Sequence, residues 1–533
     1  MLHEDEFYST FSDAELWNRY CGFLDLTVKE FLDIQNELLL DQIERVADSM
    51  LGKKLMGDRK PATVEEFRKS VPLTTYDDYE PYLTEKREDV LAAKSLWWCH
   101  SAGRGGRFKW IPQSKEVFEK CVKGYLAAFI LSSTAKKGEI NVRPGFNLLA
   151  TIAPPPYTSG YIMTALSQGI TFKLIPPLED VELSFHERIK KGFKMAMRDG
   201  VDIMGAVTSI LARMGEEFSH QTGKMQFSLE LLHPSIIFRL IRALIRSKRY
   251  KRTILPKDLW SPKGIIASGL DTEIYKDAVT HYWGITPHEL YAGTEGLVYA
   301  MQSWNKKAMT FLPDLIFLEF IPYEKSMEDE EKSSHNMPTV LLNELQEGKL
   351  YEVVITQFYG MPLLRYRMHD IIKVVSLEDV ETGTKLPQIT FQRRLGETIN
   401  LAGLTQLDEK TIWRAIANTG IKYVDWLACK EYMQNQTYLR IYIEPKEKID
   451  ANEIERRIDE ELRLIDIDYQ DLSAYLDLQP IKITELPSGT FQAYIDEKIS
   501  EGADIAHLKP NHINPPQKVL QRLLELSKLR ENA

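Results

Sequence analysis

Four short segments carry residue types suited to chemistry on a nucleotide. The first, Ser101-Ala102-Gly103-Arg104-Gly105-Gly106-Arg107-Phe108-Lys109, sets glycines among a hydroxyl and basic side chains. Glycine lets backbone N–H groups approach phosphate oxygens closely, and hydroxyl and cationic groups add charge-assisted bonds. It is not a Walker A loop, because no Gly-Lys-Ser/Thr follows at the required spacing. A Gly-rich surface turn is the competing reading. The second, Tyr291-Ala292-Gly293-Thr294-Glu295-Gly296, closes an apolar run. A Tyr face can stack on a purine, Thr can bond a phosphate, and Glu can hold Mg2+ through oxygen. A strand ending in a tight turn fits the same residues. The third, Tyr366-Arg367-Met368-His369-Asp370, offers a carboxylate that can accept both ribose hydroxyls, or a plain surface Arg–Asp pair. The fourth, Arg393-Arg394-Leu395-Gly396-Glu397 followed by Asn400 to Gly403, sits at an expected domain boundary. Alone it reads as a linker with incidental charges.

These segments need elements to position them. Apolar spacing predicts helices through residues 16–51, with Pro61 as a breaker, and Thr63 as the N-cap of a helix with acidic residues in its first turn. Short buried strands are predicted at 147–152 and 170–175, with further strand ends at 201–205, 264–267 and 288–291. Alternating strands and helices predict an α/β layered fold. Residues 323–338 are charged and nearly free of apolar side chains, which predicts an exposed loop. A strand pair follows: residues 349–356, a turn at Gly360-Met361-Pro362, then 363–366. Beyond residue 403, helices at 409–419 and 451–462, strands at 438–443 and 480–485, and a helix after Gly489 predict a small α+β domain. One helix reads two ways. Ile236, Ile237, Leu240, Ile241, Leu244 and Ile245 share a face, and Arg239, Arg242 and Arg246 lie elsewhere. A membrane-surface helix competes with a core-facing helix whose basic face is solvated, and the acidic character of the whole chain favours the latter.

The chain has 533 residues, which predicts at least two domains. A net charge of -10 argues against a general nucleic-acid binder. Cys21, Cys99, Cys121 and Cys429 are scattered, which predicts a reducing compartment and no structural zinc. The first residues lack the layout of a signal peptide, and no run of about 20 apolar residues spans a bilayer. A cytoplasmic protein is expected.

Taken together, the four segments resemble, in order and distance, the superfamily of acyl-CoA synthetases, nonribosomal adenylation domains and luciferases. Gly103, Gly106 and Lys109 match its phosphate loop. Tyr291 to Glu295 are similar to its Tyr-Gly-x-Thr-Glu motif, and Tyr366 to Asp370 to its Tyr-Arg-x-Gly-Asp motif. Arg394 matches the Arg before its hinge. Within it, the chain resembles the Gretchen Hagen family of acyl acid amido synthetases. That likeness rests on Glu66-Phe67-Arg68, the segment Val71-Pro72-Leu73-Thr74-Thr75-Tyr76, Trp110-Ile111-Pro112, Gly489-Thr490-Phe491 and Gly502-Ala503. Arg104 and Gly105 stand where the family usually carries hydroxyl residues, and His369 stands where Gly is usual.

The resemblance implies an adenylate-forming ligase fold: a large N-terminal domain of layered sheets and helices, residues 1–395, and a small mobile C-terminal domain, residues 396–533, with the active site between them. It implies ATP and Mg2+ as cofactors, a carboxylic acid as substrate, and an amino acid or other amine as acceptor. Ser101, Gly103, Arg104, Gly106 and Lys109 would attend the phosphates, with Thr294. Glu295 would hold the metal, Asp370 the ribose, and Tyr291 would lie against adenine. Lys509 would be the late lysine that assists adenylation. His281, His288 and His369 remain general-base candidates. Transfer to coenzyme A or a carrier protein shares the first half-reaction. The altered loop leaves open a member that binds nucleotide without catalysis.

Overall fold

The computed structural model describes residues 3–57, 59–101, 109–150, 152, 154–179, 185–221, 233–268, 272–328, 336–394, 398–401, 405–433, 436–476, 480–500 and 512–531. The chain divides into two compact units, the second running from residue 396 to the end.

In the first unit, β1 (Trp97–Ser101) and β2 (Lys109–Gln113) form an antiparallel pair. The remaining strands are β3 (Phe146–Ala150), β4 (Phe172–Ile175), β5 (Ile203–Val207), β6 (Gly264–Ser268), β7 (His288–Tyr291), β8 (Ala300–Gln302), β9 (Met309–Phe311), β10 (Ile316–Pro322), β11 (Leu350–Gln357), β12 (Tyr366–Ser376) and β13 (Gln388–Arg394). They order as β10-β11-β12-β13-β9-β8-β7-β6-β5-β3-β4. The β4-β3-β5-β6-β7 stretch is parallel and the rest antiparallel.

A parallel stretch is covered on both faces, so its strands read as continuous apolar runs. Leu148, Ile203 and Ile266 point to one core with Phe118, Leu126 and Ile130 of helix Lys115–Ser133. Their neighbours Leu149, Met204 and Ile265 point to the other, with Leu211, Tyr275 and Val279. The period of two along each strand thus fills two cores. The antiparallel half has a third, including Met309, Ile316, Val353, Ile355, Ile372 and Ile389.

The second unit carries its own core. In it β14 (Thr398–Leu401) pairs with β15 (Thr405–Asp408), and β16 (Tyr423–Met433), β17 (Gln436–Pro445) and β18 (Ile481–Glu485) form a three-stranded sheet. Trp426, Leu439, Ile441 and Ile483 meet Ile454, Ile458 and Leu462 of helix Ala451–Ile465 on one face. Leu427 and Tyr442 meet Phe491, Tyr494 and Leu523 on the other.

The mixed α/β architecture agrees with the sequence reading, and most predicted elements lie within two residues of the observed ones. Thr63 caps helix Val64–Ser70, its hydroxyl accepting the Glu66 N–H at 3.1 Å. Three expectations need correction. Residues 323–328 form a helix, Tyr323–Glu328, which packs on β10 and β11, while 329–335 lie outside the described residues. The strand expected over 363–366 begins only at Tyr366, because Leu363, Leu364 and Arg365 make a buried turn with Arg365 at φ 46°. Helix Pro234–Tyr250 is not packed by its apolar residues against the core with its arginines in water. Ile236 and Ala243 face inward, but Ile237, Ile241, Leu244 and Ile245 are exposed. The arginines turn inward instead. Arg239, Arg242 and Arg246 donate to the carbonyls of Leu259, Asp258 and Lys257 around helix Pro256–Leu259. Guanidinium bonds to carbonyls at a helix C-terminus outweigh the burial of one aliphatic stripe here.

Candidate nucleotide site

Three of the four sequence segments meet in the first unit. β7 ends at Tyr291, and β12 begins at Tyr366. The Tyr291 hydroxyl donates to Asp370 Oδ2 at 2.7 Å, joining segments 79 positions apart. Both are buried, Tyr291 at 7% exposure and Asp370 at 6%. The Tyr291 ring packs against Tyr299 and Phe391.

Asp370 is aimed by an irregularity in β12. Glu352 faces Ile371 and Val354 faces Arg367, so residues 368–370 stand against Val353 alone. Bulges of this kind bend a strand and redirect side chains. His369, in the bulge, has φ 58°, the left-handed region that glycine enters without steric cost. That geometry explains why Gly is usual at this place in the motif. Here His369 Nδ1 lies 3.3 Å from Glu352 Oε1, and Arg367 donates to both Glu352 oxygens at 2.9 and 2.8 Å. Burial alone would raise the Glu352 carboxyl, but the His369 and Arg367 bonds outweigh it and hold the pKa at about 2.

The Thr294–Glu295 turn is fixed through its backbone. Gln113 Nε2, at the end of β2, donates to the Thr294 carbonyl at 2.7 Å and the Glu295 carbonyl at 3.2 Å. Gln357 Nε2, at the end of β11, also donates to the Glu295 carbonyl. The hydroxyls of Thr294 and Thr158 lie 2.8 Å apart, which ties the turn to the first residue of helix Thr158–Gly169. The Tyr299 hydroxyl accepts the Gly296 N–H at 3.2 Å and donates to Glu295 Oε2 at 3.5 Å. A Cβ at Gly293 would lie 2.6 Å from that same hydroxyl, so only glycine fits there.

Lys109 opens β2. Its ammonium donates to the Tyr366 hydroxyl at 3.3 Å and lies 5.2 Å from the Tyr76 ring centroid. Residues 71–79 strap these parts together. Thr74 N–H donates to the Arg365 carbonyl at 2.9 Å, and Arg367 N–H to the Thr74 carbonyl at 2.8 Å. Tyr76 accepts the Trp110 N–H at 2.8 Å, and Tyr79 the Leu364 N–H at 2.9 Å.

Gly103, Arg104, Gly106 and Lys509 lie outside the described residues. Ser101 ends β1, and Arg394 ends β13 opposite Asp370 in the backbone register. The histidines separate. His288 is fully buried with Nε2 on the Gln302 carbonyl at 2.7 Å, and burial pulls its pKa down to about 3. His281 lies in the last turn of helix Thr272–Trp283. Of the three, only His369 adjoins the cluster. Sequence reading missed Gln113, Thr158, Tyr299 and Gln357. Gln113 directly follows the Trp110-Ile111-Pro112 segment, which is the one local signal that pointed near it.

Among the described residues no group of three or more His, Cys, Asp or Glu forms a metal cluster. Mg2+ needs none, because it is held through one or two carboxylates together with substrate phosphates and water. Glu295, 5% exposed in a turn pinned by two glutamines, fits that mode.

Comparison with known proteins gives relatives over much of the chain. It is 28% identical over 274 residues to a jasmonoyl–L-amino acid synthetase of Oryza sativa subsp. japonica, covering 47% of this chain and 45% of that one. It is 27% identical over 223 residues to an indole-3-acetic acid-amido synthetase of Arabidopsis thaliana, covering 38% and 34%. The chain thus spans less than half the length of these two relatives. A probable indole-3-acetic acid-amido synthetase of Arabidopsis thaliana aligns at 22% identity over 92% of this chain and 91% of that one. Among solved structures, the acyl acid amido synthetase AtGH3.15 in complex with 2,4-DB superposes with TM-score 0.53 at 16% identity over 97% of both chains. A 2-hydroxyisobutyryl-CoA ligase does so with TM-score 0.58 at 11% identity, over 95% of this chain and 93% of that one. At these identities the likeness is one of fold. Three domain descriptions match in order along the sequence: GH3 family N-terminal domain over residues 21–177, GH3 family central domain over 309–394, and GH3 family C-terminal domain over 409–518. The chain belongs to the GH3 family.

Proposed function

We propose that this chain activates a carboxylic acid with ATP as an acyl-adenylate and passes the acyl group to an amine, with amino acids the leading acceptors. The observation that carries the reading is the buried Tyr291–Asp370 pair beside the pinned Thr294–Glu295 turn. The amido-synthetase names of its relatives support the second half.

In the first half-reaction the acid's carboxylate attacks the α-phosphorus of ATP and pyrophosphate leaves. Little covalent work falls to the protein, so positioning and charge neutralisation dominate. Asp370 accepts the ribose hydroxyls, and Tyr291 holds its carboxylate in place rather than stacking in the open, since the ring is enclosed. Mg2+, when bound, neutralises charge on the phosphates, with Glu295 as its protein ligand. Thr294 and Lys109, with Ser101, Arg104 and the glycines Gly103 and Gly106, attend the phosphates. Arg104 replaces hydroxyl donors with a charged fork. Residues 1–395 serve as the adenylation domain and 396–533 as the small domain, with Arg394 at their junction and Lys509 assisting adenylation. A cytoplasmic setting suits the scattered cysteines.

The test is an acid screen for ATP-dependent pyrophosphate release, run with amino acids and with coenzyme A, and read by mass spectrometry of products. Acid-dependent release with an amide product is expected. A thioester without amide would move the chain to thioester ligation. No release with any acid would leave a nucleotide binder without catalysis. Robust release by Glu295→Ala would remove the metal role from that residue.

A further inference from the structure

Helix Pro234–Tyr250 presents to solvent the side chains an amphipathic helix normally hides. Phe238 is 68% exposed, Ile245 63%, and Ile241 and Leu244 each 51%. With Ile237 they fall at positions i, i+1, i+4, i+7 and i+8, which form one continuous stripe along the helix. The helix cannot roll to bury it. Arg239, Arg242 and Arg246 are anchored on the carbonyls of Lys257, Asp258 and Leu259, while Ile236 and Ala243 are locked in the core. Arg252, just past the end, adds an ion pair to Asp258 at 2.6 and 2.9 Å. The stripe continues, at the same spacing, into exposed Lys248 and Arg249, with exposed Tyr250 and Lys251 beside them.

Charge says what covers this face. Positions 234–252 hold seven basic residues and no acidic one, in a chain of net charge -10. The neighbouring helix Phe185–Asp199, which packs on this one, adds exposed Lys190, Lys191 and Lys194, while its Arg198 is taken up by Asp199 at 2.8 and 3.1 Å. A second copy of the chain would bring the same cations to the same stripe, with no carboxylate on the stripe to meet them. Anionic lipid headgroups meet them, while acyl chains take up Phe238, Ile241 and Ile245. We propose that this helix is a docking surface for an anionic bilayer, lying in the interface plane without crossing it. The proposal stands apart from the ligase reading, since none of these residues touches the nucleotide site.

The experiment is co-sedimentation of the full chain with vesicles of phosphatidylcholine alone and with an equimolar mixture of phosphatidylcholine and phosphatidylglycerol. Wild type is expected to pellet with the anionic vesicles, to be released by salt, and to stay in solution with the neutral ones. Lys248→Gln with Arg249→Gln lowers the partition coefficient roughly 25-fold, at about fivefold per cation. Phe238→Ser with Ile245→Ser lowers it by at least about tenfold. Both doubles change exposed residues only, so an unchanged thermal midpoint verifies folding. Failure of wild type to pellet with anionic vesicles overturns the proposal, as does pelleting that neither double reduces. Sedimentation equilibrium on the same proteins separates the other occupant. A dimer abolished by Phe238→Ser with Ile245→Ser, without vesicle binding, assigns the face to a second copy.

Discussion

Asp370 reaches Tyr291, in the proposed nucleotide site, because the residue before it sits in a left-handed bulge. His369 bears that φ of 58° with a full side chain. A β-branched residue is worse there, so His369→Val should destabilise the protein by about 1–2 kcal/mol and misplace Asp370. His369→Gly, which suits the backbone, should keep pyrophosphate release, and comparing thermal midpoints and release rates of the two variants checks the point. Tyr291→Phe removes one hydrogen bond from a buried carboxylate and should weaken nucleotide binding by about tenfold at unchanged fold, read by titration. At this scale the sequence was informative where residues act with their own side chains in a local motif. Tyr291, Thr294, Glu295 and Asp370 could be found that way. Gln113, Gln357 and Thr158 could not, because each acts across more than sixty positions, mostly on a backbone carbonyl, and such clamps leave no periodic trace.

At the scale of elements, the entry of β12 is held by a buried ion pair. Arg365, 3% exposed at its side chain, donates to Glu319 of β10 at 3.0 and 2.9 Å and to the Arg68 and Val71 carbonyls at 2.6 and 2.7 Å. That single side chain joins the sheet, the helix Val64–Ser70 and the strap at 71–79. Removing its partner leaves a cation buried without its counter-charge, so Glu319→Ala should cost about 3–5 kcal/mol by chemical denaturation. The same measurement on Thr63→Ala should give about 1 kcal/mol, the usual loss of one N-cap. Caps and strand runs are local, which is why helix Val64–Ser70 and β7 were legible. The orientation of helix Pro234–Tyr250 was not. Its two faces are both plausible interiors on periodicity alone, and the decision comes from carbonyls at Lys257, Asp258 and Leu259 that no pattern in the helix itself announces.

Across the whole molecule, the chain divides into two units with separate cores, the second running from residue 396. Of the small domain's elements, helices Glu409–Asn418 and Ala451–Ile465 and strands β17 and β18 were legible, while the short β14 and β15, helix Ile467–Leu476 and β16 were not, the last because its mixture of charged and aromatic residues hides its pairing with β17. Within that unit, His512 stacks on Trp426 and bridges Glu409 at 2.5 Å and Asp425 at 2.8 Å. Burial alone would lower its pKa, but the bonds and charges of Asp425 and Glu409 outweigh it and raise the pKa above the usual value. A raised folded pKa means the bridge contributes fully below about pH 6.5 and fades as pH rises through the folded value. The thermal midpoint of wild type should therefore exceed that of His512→Gln in mild acid, with the gap closing in alkali.

The proposed activity depends first on nucleotide binding, and calorimetric titration of ATP with Mg2+ into wild type and Asp370→Ala tests it without knowledge of the acid. Clear heat of binding in wild type, weakened at least about tenfold in Asp370→Ala, is the expected result. Equal affinity in the two proteins, or no binding in wild type, would contradict the assignment of the Tyr291–Asp370 pair to the nucleotide.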